Sequence, residues 1–286
     1  MKSEIISICI PTYNQTIFLK KTLKSILIQV GVNFEVIITD DSTTEDVKSL
    51  IDEFKERYPK VNFIYFRNNP SLGSPENWNY AIKHSNGSYI KIMHHDEWFI
   101  SETALLTFLE NCVDSNTLVV CSSKLIYKTK ESTIVASESF IQSVKQDPCR
   151  LIIANRFGSP SAVFFHRDQI QSFDNKLIWL VDVEFYIRML LKGVKLNYIS
   201  TPLYFSVMDE HNITNKCLYN TELQLEEYSY LFKKFLKNRR IREKLFYNNE
   251  IYKILLHTQP KQKLFLYLRL IKRTLFDTNK LNQYDS

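Results

Sequence analysis

Two acidic pairs could do chemistry: Asp40-Asp41 in "FEVIITDDS" and Asp96-Glu97 in "KIMHHDEWF". Adjacent carboxylates repel, so each pair needs donors, water or a cation beside it. Mg²⁺ and Mn²⁺ prefer oxygen ligands and share them with phosphate oxygens. Either pair alone also suits a solvated turn or a helix start. His94 and His95 precede the second pair and raise a zinc or iron alternative. Neighbours on an extended segment point to opposite faces. There is no H-E-x-x-H, and His84 and His211 could approach only through the fold. A hydrogen-bonding role for the two histidines therefore fits better. Two further carboxylates, Asp182 and Glu184, lie in "LVDVEFYIRMLLKG". Neither G-x-S-x-G nor the two glycine-rich phosphate loops occur, which argues against a serine nucleophile and against those modes of phosphate binding.

The elements that must position these groups read as alternating strands and helices. "IISICI", "FEVIITDDS", "VNFIYFRN" and "SYIKIM" are strand-like apolar runs. Between them, "QTIFLKKTLKSILIQ", "TEDVKSLIDEFKERY" and "SPENWNYAIKHS" have helical character. Thr44 reads as the N-cap of the second helix and Ser74, before Pro75, as that of the third. This order predicts a mostly parallel sheet, whose ligands bind beyond the carboxyl ends of the strands. Pro11, Thr12, Tyr13 and Asn14, then Asp40 and Asp41, then Asp96 and Glu97 all fall at such ends. Further on, "SETALLTFLENC" is a helix, "TLVVCSSKLIYK" and "SAVFFHR" are strands, and 129–148 is a polar excursion. "LVDVEFYIRMLLKG" is a helix that Gly193 closes, and "KLNYIS" is a strand after it. From about residue 218 the pattern is nearly all helical.

The chain has 286 residues and five scattered cysteines without a C-x-x-C. That fits a reducing cytosol better than a disulfide framework or a zinc site. No run reaches the length of a membrane span, and the first residues do not read as a secretory leader. Charge is unevenly placed. Residues 231–286 hold 14 Lys+Arg against 4 Asp+Glu, and the rest hold 23 against 27. A uniformly cationic nucleic-acid binder would not divide this way. The basic tail suits either a solvated helical face or contact with anionic lipid.

"ISICIPTYNQTIFLKKTLKSILIQ", "FEVIITDDST" and "NNPSLGSPENWNYAIKHSNGSYIKIMHHDEWF" together resemble the nucleotide-binding half of a family 2 glycosyltransferase, an inverting enzyme of the GT-A fold. "LVDVEFYIRMLLKGVKLNYISTPLYF" resembles the family's later acidic helix. The resemblance implies a Rossmann-like, mostly parallel sheet flanked by helices. It implies a catalytic domain over 1–217, with a nucleotide-binding half over 1–100 and an acceptor-binding half over 101–217. A basic helical extension follows over 218–286. Carried onto this chain, Tyr13 would stack on the base, Thr12 would contact the nucleoside, and Asp41 would accept from the base imide, favouring uracil or thymine and so a UDP-sugar ahead of a dTDP-sugar. Asp96 would lie by the ribose or diphosphate, Glu97 would take the metal position, and Asp182 would be the catalytic base. Asn79 matches a position that holds the loop near the nucleotide.

The chain departs from the family pattern in places. His94 replaces the first acid of its acidic triplet, Glu97 lengthens the last, and Val181 stands where Glu is usual. Trp98 could pack near the donor sugar or in the core, Arg188 is expected to pair with a carboxylate, and His211 could reach the diphosphate. The implied partners are a nucleotide-sugar, a glycan or lipid-linked acceptor, Mn²⁺ or Mg²⁺, and the inner face of the cytoplasmic membrane. A non-catalytic sugar-nucleotide binding module is the alternative. A sugar-phosphate nucleotidyltransferase ranks lower, because "PTYNQT" is not a glycine-rich basic loop.

Overall fold

Most of the apolar runs become strands of one sheet. The computed structural model describes residues 4–208, 217 and 220–236; the expectations for His211 and for the helices after 236 lie outside the described residues. The chain divides into two compact units, 1–209 and 210–286. In the first unit, β1 (Ile5–Thr12), α1 (Ile17–Leu27), β2 (Asn33–Asp40), α2 (Asp46–Arg57), β3 (Asn62–Arg67), α3 (Glu76–Lys83) and β4 (Tyr89–Ile92) alternate as the sequence predicts. Then come β5 (Trp98–Phe99), α4 (Ala104–Asn111), β6 (Thr117–Tyr127), β7 (Lys130–Ile134), α5 (Glu138–Gln146), α6 (Arg150–Ile153), β8 (Val163–His166), α7 (Val181–Leu191) and β9 (Lys195–Met208). The polar excursion over 129–148 therefore holds a short strand and a helix.

Among the described residues the sheet runs β3-β2-β1-β4-β8-β6-β9-β5, with β7 beside β6. The β3-β2-β1-β4 part is parallel. β8 joins it antiparallel to both β4 and β6, so the far half is mixed. The β1 and β2 centres are buried on both faces, with Ile8 and Val36 on one face and Cys9 and Ile37 on the other at most 1% exposed, as expected for strands covered by helices. Register sets the site. Thr12 stands opposite Asp40 across β1–β2, and Cys9 stands opposite Ile92 across β1–β4. The chain leaving β4 therefore runs beside Pro11 and Thr12.

Two expected caps differ. Thr44 donates to the Asp46 carboxylate rather than capping the α2 backbone. Ser74 lies one residue before the N-cap position of α3, which Pro75 occupies. Beyond α7, Gly193 takes φ +90°, the left-handed conformation that ends helices at low cost for glycine. In the second unit, α8 (Thr221–Leu231) is capped by Asn220, whose side-chain oxygen accepts from Leu223 N.

Candidate active site

Polar side chains at the carboxyl ends of β1, β2 and β3 form one hydrogen-bonded network. The buried Asp41 carboxylate accepts from Asn68 Nδ2 at 2.7 Å, Gly73 N at 2.7 Å and Leu72 N at 3.1 Å. A carboxylate offers about four acceptor sites, so there is room for one more donor. Asn77, buried on α3, donates to the carbonyls of Thr12 and Thr39 and accepts from Asn68. Asn14 Oδ1 accepts from Thr43 N, tying the loop after β1 to the loop after β2. Asn14 takes φ +47°, which Asn tolerates better than most residues. Thr12 Oγ1 is buried without a partner, and the adjacent Tyr13 ring is 54% exposed. A buried hydroxyl without a partner beside an exposed aromatic face suits a planar polar ligand.

The segment after β4 brings two histidines and two carboxylates to this edge. His95 Nδ1 lies 3.2 Å from Pro11 O, so a proton on that nitrogen fixes the ring against β1. His94 N donates to Ser161 Oγ, and its ring packs on Trp78 at 4.9 Å. Burial pushes the His94 imidazole down to about 4, so it is neutral near pH 7 and does not act as a stand-in cation. Its Nε2 is buried without a partner. Asp96 is half-buried, and its carboxyl is raised above the ordinary range by burial and by the neighbouring Glu97 charge.

Glu97 differs from the expectation of a metal-facing carboxylate. It is 3% exposed, and both its oxygens lie 2.9 Å from Ser159 Oγ. Burial raises its carboxyl, while serine hydroxyls and the fully buried Lys91 ammonium oppose the rise. Glu97 thus makes its hydrogen bonds to serine hydroxyls inside the fold. Asp96 is the more accessible carboxylate of the pair. Among the described residues no three His, Cys, Asp or Glu side chains converge as a closed metal site.

Asp182 lies in the first turn of α7. Its Oδ2 accepts from Asn155 Nδ2 at 2.8 Å and its Oδ1 from Val183 N at 2.7 Å. Glu184 is fully buried and takes Arg188 on both oxygens, at 2.7 and 2.9 Å. Arg188 thus pairs with a carboxylate as expected, and Glu184 is held as a structural group.

Other expected residues turn elsewhere. Asp40 accepts from Tyr65 Oη and Ser42 N, which makes it a brace of the sheet edge. Asn79 bonds both the N–H and the carbonyl of Phe173, pinning the loop that precedes α7. Trp98 is buried against Phe18 and Phe205, with Lys21 Nζ 3.5 Å from its ring centroid, so it belongs to the core under α1. Asn68, Asn77, Lys91, Asn155 and Ser159 were not singled out from the sequence. For the four other than Lys91, the nearest signal is the unusual density of amides and serines in "NNPSLGSPENWN" and "ANRFGSPS".

A profile described as glycosyl transferase family 2 matches residues 7–181. The chain belongs to this family. The glycosyltransferase has the GT-A fold, as two solved structures show. S. aureus TarS in complex with UDP superposes with a TM-score of 0.58 at 16% identity, covering 98% of this chain and 93% of that one. The Pyrobaculum calidifontis mannosyltransferase PcManGT, in complex with GDP-Man and Mn²⁺, gives 0.61 at 15% identity, covering 100% and 82%. One curated relative is the Escherichia coli WfaP, named a UDP-Glc:alpha-D-GlcNAc-diphosphoundecaprenol beta-1,3-glucosyltransferase. It is 33% identical over 98 residues, covering 34% of this chain and 38% of the relative. The chain spans less than two thirds of the length of the first curated relatives it matches.

Proposed function

We propose that this glycosyltransferase moves a sugar from a UDP-sugar to a hydroxyl of a glycan or lipid-linked acceptor, with inversion at the anomeric carbon. The observation that carries the proposal is the pairing of two sites on one scaffold. One is a nucleotide-sized polar edge at Thr12, Tyr13 and Asp41. The other is an acidic group, Asp182, at the start of α7. The UDP in the TarS complex and the lipid diphosphate in the WfaP name support the donor and acceptor classes.

In this reading the Tyr13 ring stacks on uracil, and Asp41 accepts the imide N–H at its remaining lone pair. Thr12 Oγ1 takes a nucleoside group. Asp182 removes the proton from the acceptor hydroxyl as that oxygen attacks the anomeric carbon. The bond from that carbon to the diphosphate breaks on the opposite face, and its electron pair leaves with UDP. The half-buried Asp96 beside partnerless polar atoms fits a hard divalent cation, and Asp96 would hold it. Mn²⁺ or Mg²⁺ bound there supplies charge stabilisation to the leaving diphosphate. Among the described residues no helix is long and apolar enough to cross a membrane. The basic composition of 231–286 supports peripheral contact with anionic lipid.

The test is a panel of sugar nucleotides scored for UDP release, with and without Mn²⁺, using wild type and Asp182→Asn. Turnover of a UDP-sugar that falls at least about 100-fold in the variant, with UDP affinity retained, supports the reading. UDP affinity without turnover in either protein supports the non-catalytic binding module. Equal turnover in both proteins removes Asp182 as the base.

A further inference from the structure

Residues 155–161 form a loop with one end at the β4 acidic segment and the other at the start of α7. At the α7 end, Asn155 Oδ1 accepts from Phe157 N at 3.1 Å and Gly158 N at 3.2 Å. These two bonds fix which way the amide faces, so the Nδ2 donor points to Asp182 Oδ2 at 2.8 Å. Gly158 O accepts from Tyr186 Oη at 3.1 Å, one turn beyond Asp182 on the same helix. At the β4 end, Ser159 Oγ meets Glu97, Ser161 Oγ accepts from His94 N, and Ser161 O accepts from Lys91 Nζ. Hydrogen bonds thus run from Glu97 through this loop to Asp182.

We propose that Asn155 is a positioning residue for the Asp182 carboxylate, and that Glu97 holds it in place through Ser159. The Asn155 amide selects one orientation of the carboxylate and stabilises its charged form. The Glu97–Ser159 contact stops the loop from drifting away from α7. Lengthening Asp to Glu at position 97, relative to the family pattern, gives the side chain reach to the loop. This inference rests on Asp182 being the base.

The experiment reads Asp182 in two ways. First, the ¹³C carboxyl resonance of Asp182 is assigned by its loss in Asp182→Asn and titrated in wild type, Asn155→Ala and Ser159→Ala. Tyr186 and the Glu184–Arg188 pair are common to all three, so the comparison isolates the loop. Losing a hydrogen bond to the charged form raises the midpoint. Asn155→Ala is expected to raise it by about one unit, and Ser159→Ala by less. Asn155 is exposed, so its truncation should leave the fold intact. An unchanged midpoint in Asn155→Ala overturns the proposal.

Second, UDP release from the best donor of the panel is measured for Asn155→Ala, Asp182→Asn and the double variant. Asn155→Ala is expected to lower kcat about ten-fold with donor KM unchanged. The double variant should match Asp182→Asn alone, because residues acting as a unit are not additive. Independent, multiplying losses overturn the proposal. A raised midpoint in Asn155→Ala with full turnover in Asp182→Asn rejects the base assignment while leaving the Asn155–Asp182 pairing intact.

Discussion

The Ser159 hydroxyl sits 2.9 Å from both carboxylate oxygens of Glu97, so one proton serves two acceptors deep inside the fold. A carboxylate held in this way is poorly placed to share a cation with a diphosphate. Asp96, one residue earlier and half-buried, is better placed. Asp96→Asn is therefore expected to remove the Mn²⁺-dependent gain in UDP affinity, about ten-fold or more, by analogy with other lost metal partners. Glu97→Gln should keep most of that gain. Calorimetric titration of UDP with and without Mn²⁺ checks both. If Glu97→Gln loses the gain and Asp96→Asn keeps it, the assignment reverses.

Asn77 makes a second prediction, of stability rather than ligation. Its amide closes the gap between the ends of β1 and β2 by donating to Thr12 O and Thr39 O, and it accepts from Asn68, which also holds Asp41. Asn77→Ala takes the side-chain donor from both carbonyls, although Thr12 O keeps the N–H of Asp41, and it loosens the Asp41 loop. A loss of about 1–2 kcal/mol in urea unfolding is expected, since each lost intramolecular hydrogen bond costs about 0.5–1.5 kcal/mol. UDP affinity should fall with it. Unchanged stability would show that water replaces the amide at no cost.

The strand-end carboxylates were legible because period and sign change together. An apolar run followed at once by two acids marks both a strand and its end. Asp41, Asp96, Thr12 and Tyr13 stand out for that reason. Asn77 and Asn155 carry no such mark. An amide on a helix or in a loop has the same local pattern whether it faces water or closes a buried network. The surroundings of Glu97 carried no local mark, because its neighbours in space, Ser159 and Lys91, are set by the antiparallel pairing of β8 with β4, a long-range register. The excursion at 129–148 hid β7 because its strand residues are mostly solvent-facing, and α5 because only Ile141 and Val144 are buried in its short length.

Gly158 makes a third prediction. It takes φ +87°, where an L side chain is strained, and a Cβ there would lie 3.2 Å from Tyr204 Oη. Tyr204 is itself buried and hydrogen-bonded to Ser159, so it has little room to yield. Gly158→Ala is expected to cost about 1 kcal/mol or more of stability. It should also lower kcat more than it changes donor KM, because the strain falls on the loop that faces Asp182. Thermal melts and steady-state kinetics separate the two effects. Wild-type stability with wild-type kcat would show that the loop tolerates the change.

Lys91 gives the clearest pH signature. It is fully buried, donates to Ser161 O, and lies 4.4 Å from the Phe108 ring centroid. Burial pushes its ammonium down to about 8 from the ordinary 10.5. Between those values the unfolded chain holds the proton and the folded chain does not, so stability rises with pH across that window. Below about 8 both states hold the proton, and the cost of the buried charge is fully present. Lys91→Met lacks this titration. Any titration of Glu97 in that variant acts in the same direction on the comparison, because a proton kept in the fold and released on unfolding lowers stability as pH rises. The stability of wild type relative to Lys91→Met should therefore improve between pH 8 and 10.5 by on the order of 2–3 kcal/mol. Urea unfolding of both proteins at pH 7.5 and pH 10 measures it. A pH-independent difference would mean that Lys91 titrates as an exposed lysine does.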